Sequence, residues 1–283
     1  MHTRVIAVLG GFGAAACWAG AAVCASRSTK LIGPWSVLAW VMLTGFVVVA
    51  PPTAASGIPD ALGAHEVWLL AASGAGNVAG LLFEYAALRV GKVAIVTPIV
   101  STEGALTAVI AIVAGETLGA GVGAMLVLIS IGVVLASIAP GGGSGDPLRA
   151  SLLAGGSALC FGVSLYATGR LGESLPLVWA VIPARLVGVA AVALPLAATR
   201  RLRLTRAALP FVVASGLCEV GGAALFVLGS RHSIAVSAVL ASQFAALAAL
   251  TAFVLFHERL TRVQLAGITV IAVGVAVLSA LQA

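Results

Sequence analysis

Pro140-Gly-Gly-Gly-Ser-Gly-Asp146-Pro147 decides how this chain is organised. Its glycines and prolines cannot continue a helix and its polarity suits water, so residues 140–147 read as a linker. Long apolar blocks lie on both sides of it. Those before it cover residues 5–25, 35–52, 66–88, 93–114 and 120–139. Those after it cover 149–169, 176–198, 207–229, 234–256 and 263–281. Each is about 20 residues long, enough to cross some 30 Å of hydrocarbon as a helix. The reading is an all-α integral membrane fold of ten transmembrane helices, with five in residues 1–139 and five in residues 148–283.

Composition supports it. Of 283 residues, 61% are hydrophobic and 8% charged, against roughly 25% charged in a soluble domain. A water-soluble fold would have too little polar surface. Cys17, Cys24, Cys160 and Cys218 fall inside apolar blocks without CxxC spacing, which points to packing rather than disulfides or a metal site. The net charge of +6 is carried mostly between the blocks and lacks the stacking aromatics of a nucleic-acid surface. The stretch from Arg4 to Ser26 has the shape of a signal peptide, but it also begins a repeat that runs through the chain.

An offset of 142 brings Ala72-Ser73-Gly74 onto Ala214-Ser215-Gly216, Gly80 onto Gly222, and Arg89 onto Arg231. Without a gap it also superposes Glu116 on Glu258, Gly132-Val133 on Gly274-Val275, and Ser137 on Ser279. With five spans per half, an odd number, equivalent spans enter the membrane in opposite directions. The expected plan is an inverted repeat around a central cavity. Lys and Arg in the loops divide eleven to three between the two faces, with Arg185 inside a span, and the bias places both termini outside.

The residues that align the halves also resemble the EamA repeat of the drug/metabolite transporter superfamily. In the first half the likeness rests on Ala94-Ile-Val-Thr-Pro98, Gly115-Glu116-Thr-Leu118 and Gly132-Val133. In the second it rests on Ser237-Ala-Val-Leu240, His257-Glu258-Arg-Leu260, and Gly267 through Gly274-Val275. The resemblance implies a basket-like, ten-helix transporter with a central cavity, handling amino acids, other metabolites or organic cations, often in export. It implies a multi-pass protein of the cell membrane, in bacteria the inner membrane. It also implies cytosolic termini, contrary to the charge count, so orientation stays open.

Charged residues deep in a span cost at least about 3 kcal/mol on insertion scales unless they face protein or water. Arg185, Glu103 and Glu219 are such residues. Arg185 follows Pro183 by two residues and can take a carboxylate bidentately or form an internal ion pair with Glu103 or Glu219. Ser73, Asn77, Gly80 and Glu84 share one face of the third span, and Ser215, Glu219, Gly222 and Phe226 one face of the eighth. Such faces serve a ligand site or close helix packing. Thr97, Ser101 and Gly104 line a face of the fourth span beside Pro98, and Gln243 is the second-half equivalent of Ser101. Trp18 and Phe161 align at an offset of 143 as aromatic walls or ordinary packing. Glu116 and Glu258 read as carboxylates favouring the helix that each precedes, and Thr261-x-x-Gln264 as a capping box.

The expected substrate-binding set is Trp18, Asn77, Glu84, Ser101, Glu103, Arg185, Glu219 and Gln243. No metal-ligand set, paired nucleophile or phosphate loop points to an enzyme or a cofactor. The sequence therefore reads as an amino acid exporter with a small-molecule substrate, the lipid bilayer and a coupling proton as partners. Organic-cation efflux is the alternative within transport, and a non-transporting membrane enzyme or scaffold the alternative outside it.

Overall fold

The apolar blocks fold as helices because backbone N–H and C=O groups must be satisfied locally where water is absent. The structure, a computed structural model, describes residues 2–90, 96, 99–137, 146–244, 246–247 and 261–282. In chain order the helices are α1 (His2–Ile32), α2 (Pro34–Ala55), α3 (Ala64–Val90), α4 (Glu103–Val113) and α5 (Ala120–Ser137). They are followed by α6 (Pro147–Ser174), α7 (Leu177–Ala198), α8 (Leu209–Ser230), α9 (Ile234–Ala241) and α10 (Arg262–Gln282). A π-helical turn at Val189–Ala193 interrupts α7. Among the described residues there is no strand. Among the described residues six helices, α1, α2, α3, α6, α7 and α8, are long and apolar enough to cross a membrane.

Two predicted blocks are not continuous helices. In the fourth, a turn at Ser101–Thr102 precedes α4, where Thr102 Oγ1 donates to the Ile99 carbonyl at 2.7 Å. In the ninth, a turn at Ser242–Gln243 ends α9, and Ser242 Oγ donates to the Val239 carbonyl at 2.9 Å. Hydroxyls that bond nearby carbonyls compete with the helix ladder, a signal that hydropathy does not carry. Thr97, Pro98, Glu258 and the linker glycines lie outside the described residues. After the linker, the Asp146 carboxylate caps α6 by accepting from Arg149 N–H at 3.1 Å, with Pro147 in the first turn.

Helices from the two sides of the linker pack on each other. α3 lies along α6 and α1 along α8, α2 packs on α7, α4 on α9, and α5 on α10. Residues 142 positions apart make matching contacts. A Cβ added at Gly132 would stand 2.9 Å from Ile271 Cγ1, and one at Gly274 would stand 2.7 Å from Ile129 Cγ1. Gly74 backs onto the Pro183 carbonyl of α7 as Gly216 backs onto the Val41 carbonyl of α2. Small residues let these backbones approach, and hydroxyls bond across the seams. Ser164 Oγ donates to the Ser73 carbonyl at 2.7 Å, Ser157 Oγ to the Gly80 carbonyl at 2.8 Å, and Ser215 Oγ to the Ala21 carbonyl at 3.1 Å.

Loop contacts tie the helix ends. Trp179 Nε1 donates to the Gly57 carbonyl at 3.1 Å, and Arg231 Nε to the Gly172 carbonyl at 2.7 Å. Glu116 corrects the sequence reading. Its carboxylate leaves the helix that it precedes and accepts instead from Ser233 Oγ and, at 3.2 Å, from Ala235 N–H at the start of α9. The carboxylate still meets the positive end of a helix, but that helix is a tertiary neighbour. The capping box forms as read: Thr261 N–H donates to Gln264 Oε1 at 2.9 Å and Gln264 N–H to Thr261 Oγ1 at 3.2 Å. Gly132→Val should overpack the α5–α10 seam and cost about 1–3 kcal/mol, measured as a lower unfolding midpoint in mild detergent. Gly119→Val, where an added Cβ meets nothing within 4 Å, should cost much less.

Candidate functional site

Where the polar faces of α3 and α8 converge, the bundle encloses a cavity of about 300 Å³. Six of the eight residues expected to bind substrate line it: Trp18, Asn77, Glu84, Glu103, Arg185 and Glu219. Ser101 and Gln243 do not. Both are buried beside the turns that break the fourth and ninth blocks, with Gln243 only 1% exposed. The Gln243 Nε2 has no hydrogen-bond partner among the described residues.

The symmetry of the aromatic walls follows from two glycines. A Cβ at Gly80 would stand 2.6 Å from the Phe161 ring, and one at Gly222 would overlap the Trp18 indole. Each glycine therefore seats the aromatic of the helix facing it, and both rings border the cavity. Trp18 also packs on Phe226 at 6.2 Å between centroids, a distance usual for aromatic pairs. Asn77 presents an amide oxygen with no partner among the described residues.

Arg185 is 3% exposed, and its two terminal nitrogens meet side chains of two helices. Nη2 meets Glu219 Oε2 of α8 at 3.4 Å, and Nη1 meets the Met42 thioether of α2 at 3.5 Å. Nε has no partner among the described residues. Gly45 makes room for this arrangement, since a Cβ there would stand 2.8 Å from Arg185 Cδ. Glu219 stays 31% exposed. Glu84 and Glu103 border the same cavity as Glu219. Among the described residues the ion pairs are Arg185–Glu219 and Arg170–Glu173, so Glu84 and Glu103 face the cavity without one.

The sequence reading missed Met42 and Gly45. Neither carries a polar side chain, and Met42 meets Arg185 across 143 residues, so no local pattern marks them. Tyr85 and Phe244, which also line the cavity, sit in apolar runs that look like ordinary core.

Residues 5–138 match the family described as the EamA-like transporter family. A crystal structure described only as that of a protein resembles the whole bundle, with a TM-score of 0.80, 21% identity and 98% of each chain covered. At that identity the likeness concerns the fold. No curated protein matches the chain.

A double-mutant cycle on Arg185→Met and Glu219→Gln should give a coupling energy of about 1 kcal/mol, at the low end for contacting residues because Glu219 keeps solvent access. Unfolding in detergent measures it. A coupling near zero would mean that the 3.4 Å contact contributes nothing to stability.

Proposed function

Because residues 5–138 belong to the EamA-like transporter family of the drug/metabolite transporter superfamily, we propose that this multi-pass membrane protein exports small polar metabolites, amino acids foremost. The reading rests on one arrangement: a single guanidinium and three carboxylates, from α3, α4, α7 and α8, around one cavity of about 300 Å³. In it Arg185 meets the substrate carboxylate and Glu219 or Glu103 its ammonium, so that both charges of a zwitterion gain charge-assisted hydrogen bonds. Asn77 and Glu84 contribute acceptors, and Trp18 an apolar wall. Ser101 and Gln243 act one step back, at the two helix breaks.

Ten spans arranged as an inverted repeat, residues 1–139 against 148–283 about the linker at 140–147, provide the alternating-access frame. The matching contacts of Gly132 with Ile271 and of Gly274 with Ile129 support that reading. A cavity glutamate carries the coupling proton. The bacterial inner membrane is the expected location.

A second reading, efflux of lipophilic organic cations, is favoured by the burial of Arg185. At 3% exposure, held by Glu219 and Met42, the guanidinium serves as an internal counter-ion. The cavity is then left with carboxylates and two aromatic walls, which suit a cation.

Uptake into proteoliposomes separates the readings, using a labelled amino-acid mixture and a labelled organic cation, with and without a proton gradient. Amino-acid flux that falls at least tenfold in both folded Arg185→Ala and folded Glu219→Gln supports the zwitterion site. Cation flux that survives Arg185→Ala but not Glu219→Gln supports the second reading. Amino-acid flux unchanged in both variants would remove Arg185 and Glu219 from the site, and gradient-independent flux would remove the proton.

A further inference from the structure

The segment joining α7 to α8 is a basic strap whose backbone is fastened to the bundle. α7 ends with Thr199 Oγ1 donating to the Pro195 carbonyl at 2.8 Å, and Arg200 then turns the chain at a φ of 54°. Leu202 packs into the apolar cluster of Leu38, Met42 and Val192. Arg203 is held by its main chain: its N–H donates to Ser36 Oγ at 3.2 Å and its carbonyl accepts from Trp40 Nε1 at 2.9 Å. These contacts leave Arg200, Arg201, Arg203 and Arg206 exposed. The strap contains no acidic residue, and none of the described ion pairs involves these four arginines.

The strap's depth in the membrane is set by its neighbours. It joins the ends of two membrane helices at Ala198 and Leu209 and is bonded to Trp40 near the start of α2. Tryptophans at span ends sit at headgroup level. The end of α1, carrying exposed Lys30, packs into the same corner, where Ile32, Val37, Val41, Ala208 and Val212 form a cluster.

We propose that this strap binds the headgroups of anionic phospholipids in the leaflet that it faces. A guanidinium matches phosphate oxygens with two parallel donors, and clustered arginines beside span ends attract acidic lipid. The positive-inside bias alone requires only that charge lie somewhere in the loop. It does not require a backbone fastened at Arg200, Leu202 and Arg203 with the guanidinium groups left outside.

The test is thermal unfolding of the purified full chain in neutral detergent, with phosphatidylglycerol, phosphatidylcholine or glycerol 3-phosphate added. Phosphatidylglycerol should raise the Tm saturably, and phosphatidylcholine should not. Salt should weaken the effect, since exposed charges are screened beyond about 8 Å at physiological ionic strength. Changing all four residues, as Arg200→Gln, Arg201→Gln, Arg203→Gln and Arg206→Gln together, should abolish the response, whereas Arg170→Gln in the last turns of α6 should leave it intact. If the fourfold variant does not fold, Arg200 with Arg201, and Arg203 with Arg206, are changed separately. Each should then raise the half-saturating phosphatidylglycerol concentration by about thirtyfold. Undiminished response in the arginine variants would overturn the proposal, and so would glycerol 3-phosphate acting as strongly as the lipid. The readout uses folded, already inserted protein, so a role in topology alone would not move it.

Discussion

Hydroxyls along the helix seams of this bundle have no water to turn to, and that constraint organises the rest. The helices satisfy their own backbones, and each remaining hydroxyl must find an acceptor inside the protein. Ser73, Ser157, Ser164 and Ser215 find theirs across helix seams, on carbonyls or hydroxyls of the facing helix. Those bonds require close backbones, and glycines at the seams permit the approach. The polar faces of α3 and α8 are thereby turned away from lipid and towards each other.

The cavity follows from the same packing. Where seams close, side chains interlock. Where the third and eighth spans carry longer polar residues, Asn77, Glu84 and Glu219, the helices leave a space bordered by charge. Arg185 completes it from α7, and its position depends on α2, which lends a thioether from Met42 and open room at Gly45. One guanidinium and three carboxyl groups, from four helices, thus border a single cavity.

The candidate site was legible where a residue was out of place for its surroundings. A glutamate or arginine inside an apolar block is costly enough to stand out, and Glu84, Glu103, Arg185 and Glu219 all line the cavity. Ser101 and Gln243 were read as ligands, and the structure seats both beside the helix breaks, outside the cavity lining. Glu116 misled differently. Its proximity to α5 in the chain suggested one helix, while the fold delivered its carboxylate to another.

By itself the sequence determined that this chain lives in a membrane, that it is built of apolar helices, and which charged residues must avoid lipid. Those properties come from local hydropathy, length and the cost of burying charge. Tertiary structure alone decided which helices meet, that Met42 and Gly45 hold Arg185, that two apolar blocks break, and that four arginines of one strap stand outward. These depend on which side chains meet across more than a hundred residues, and no local pattern of hydropathy records that.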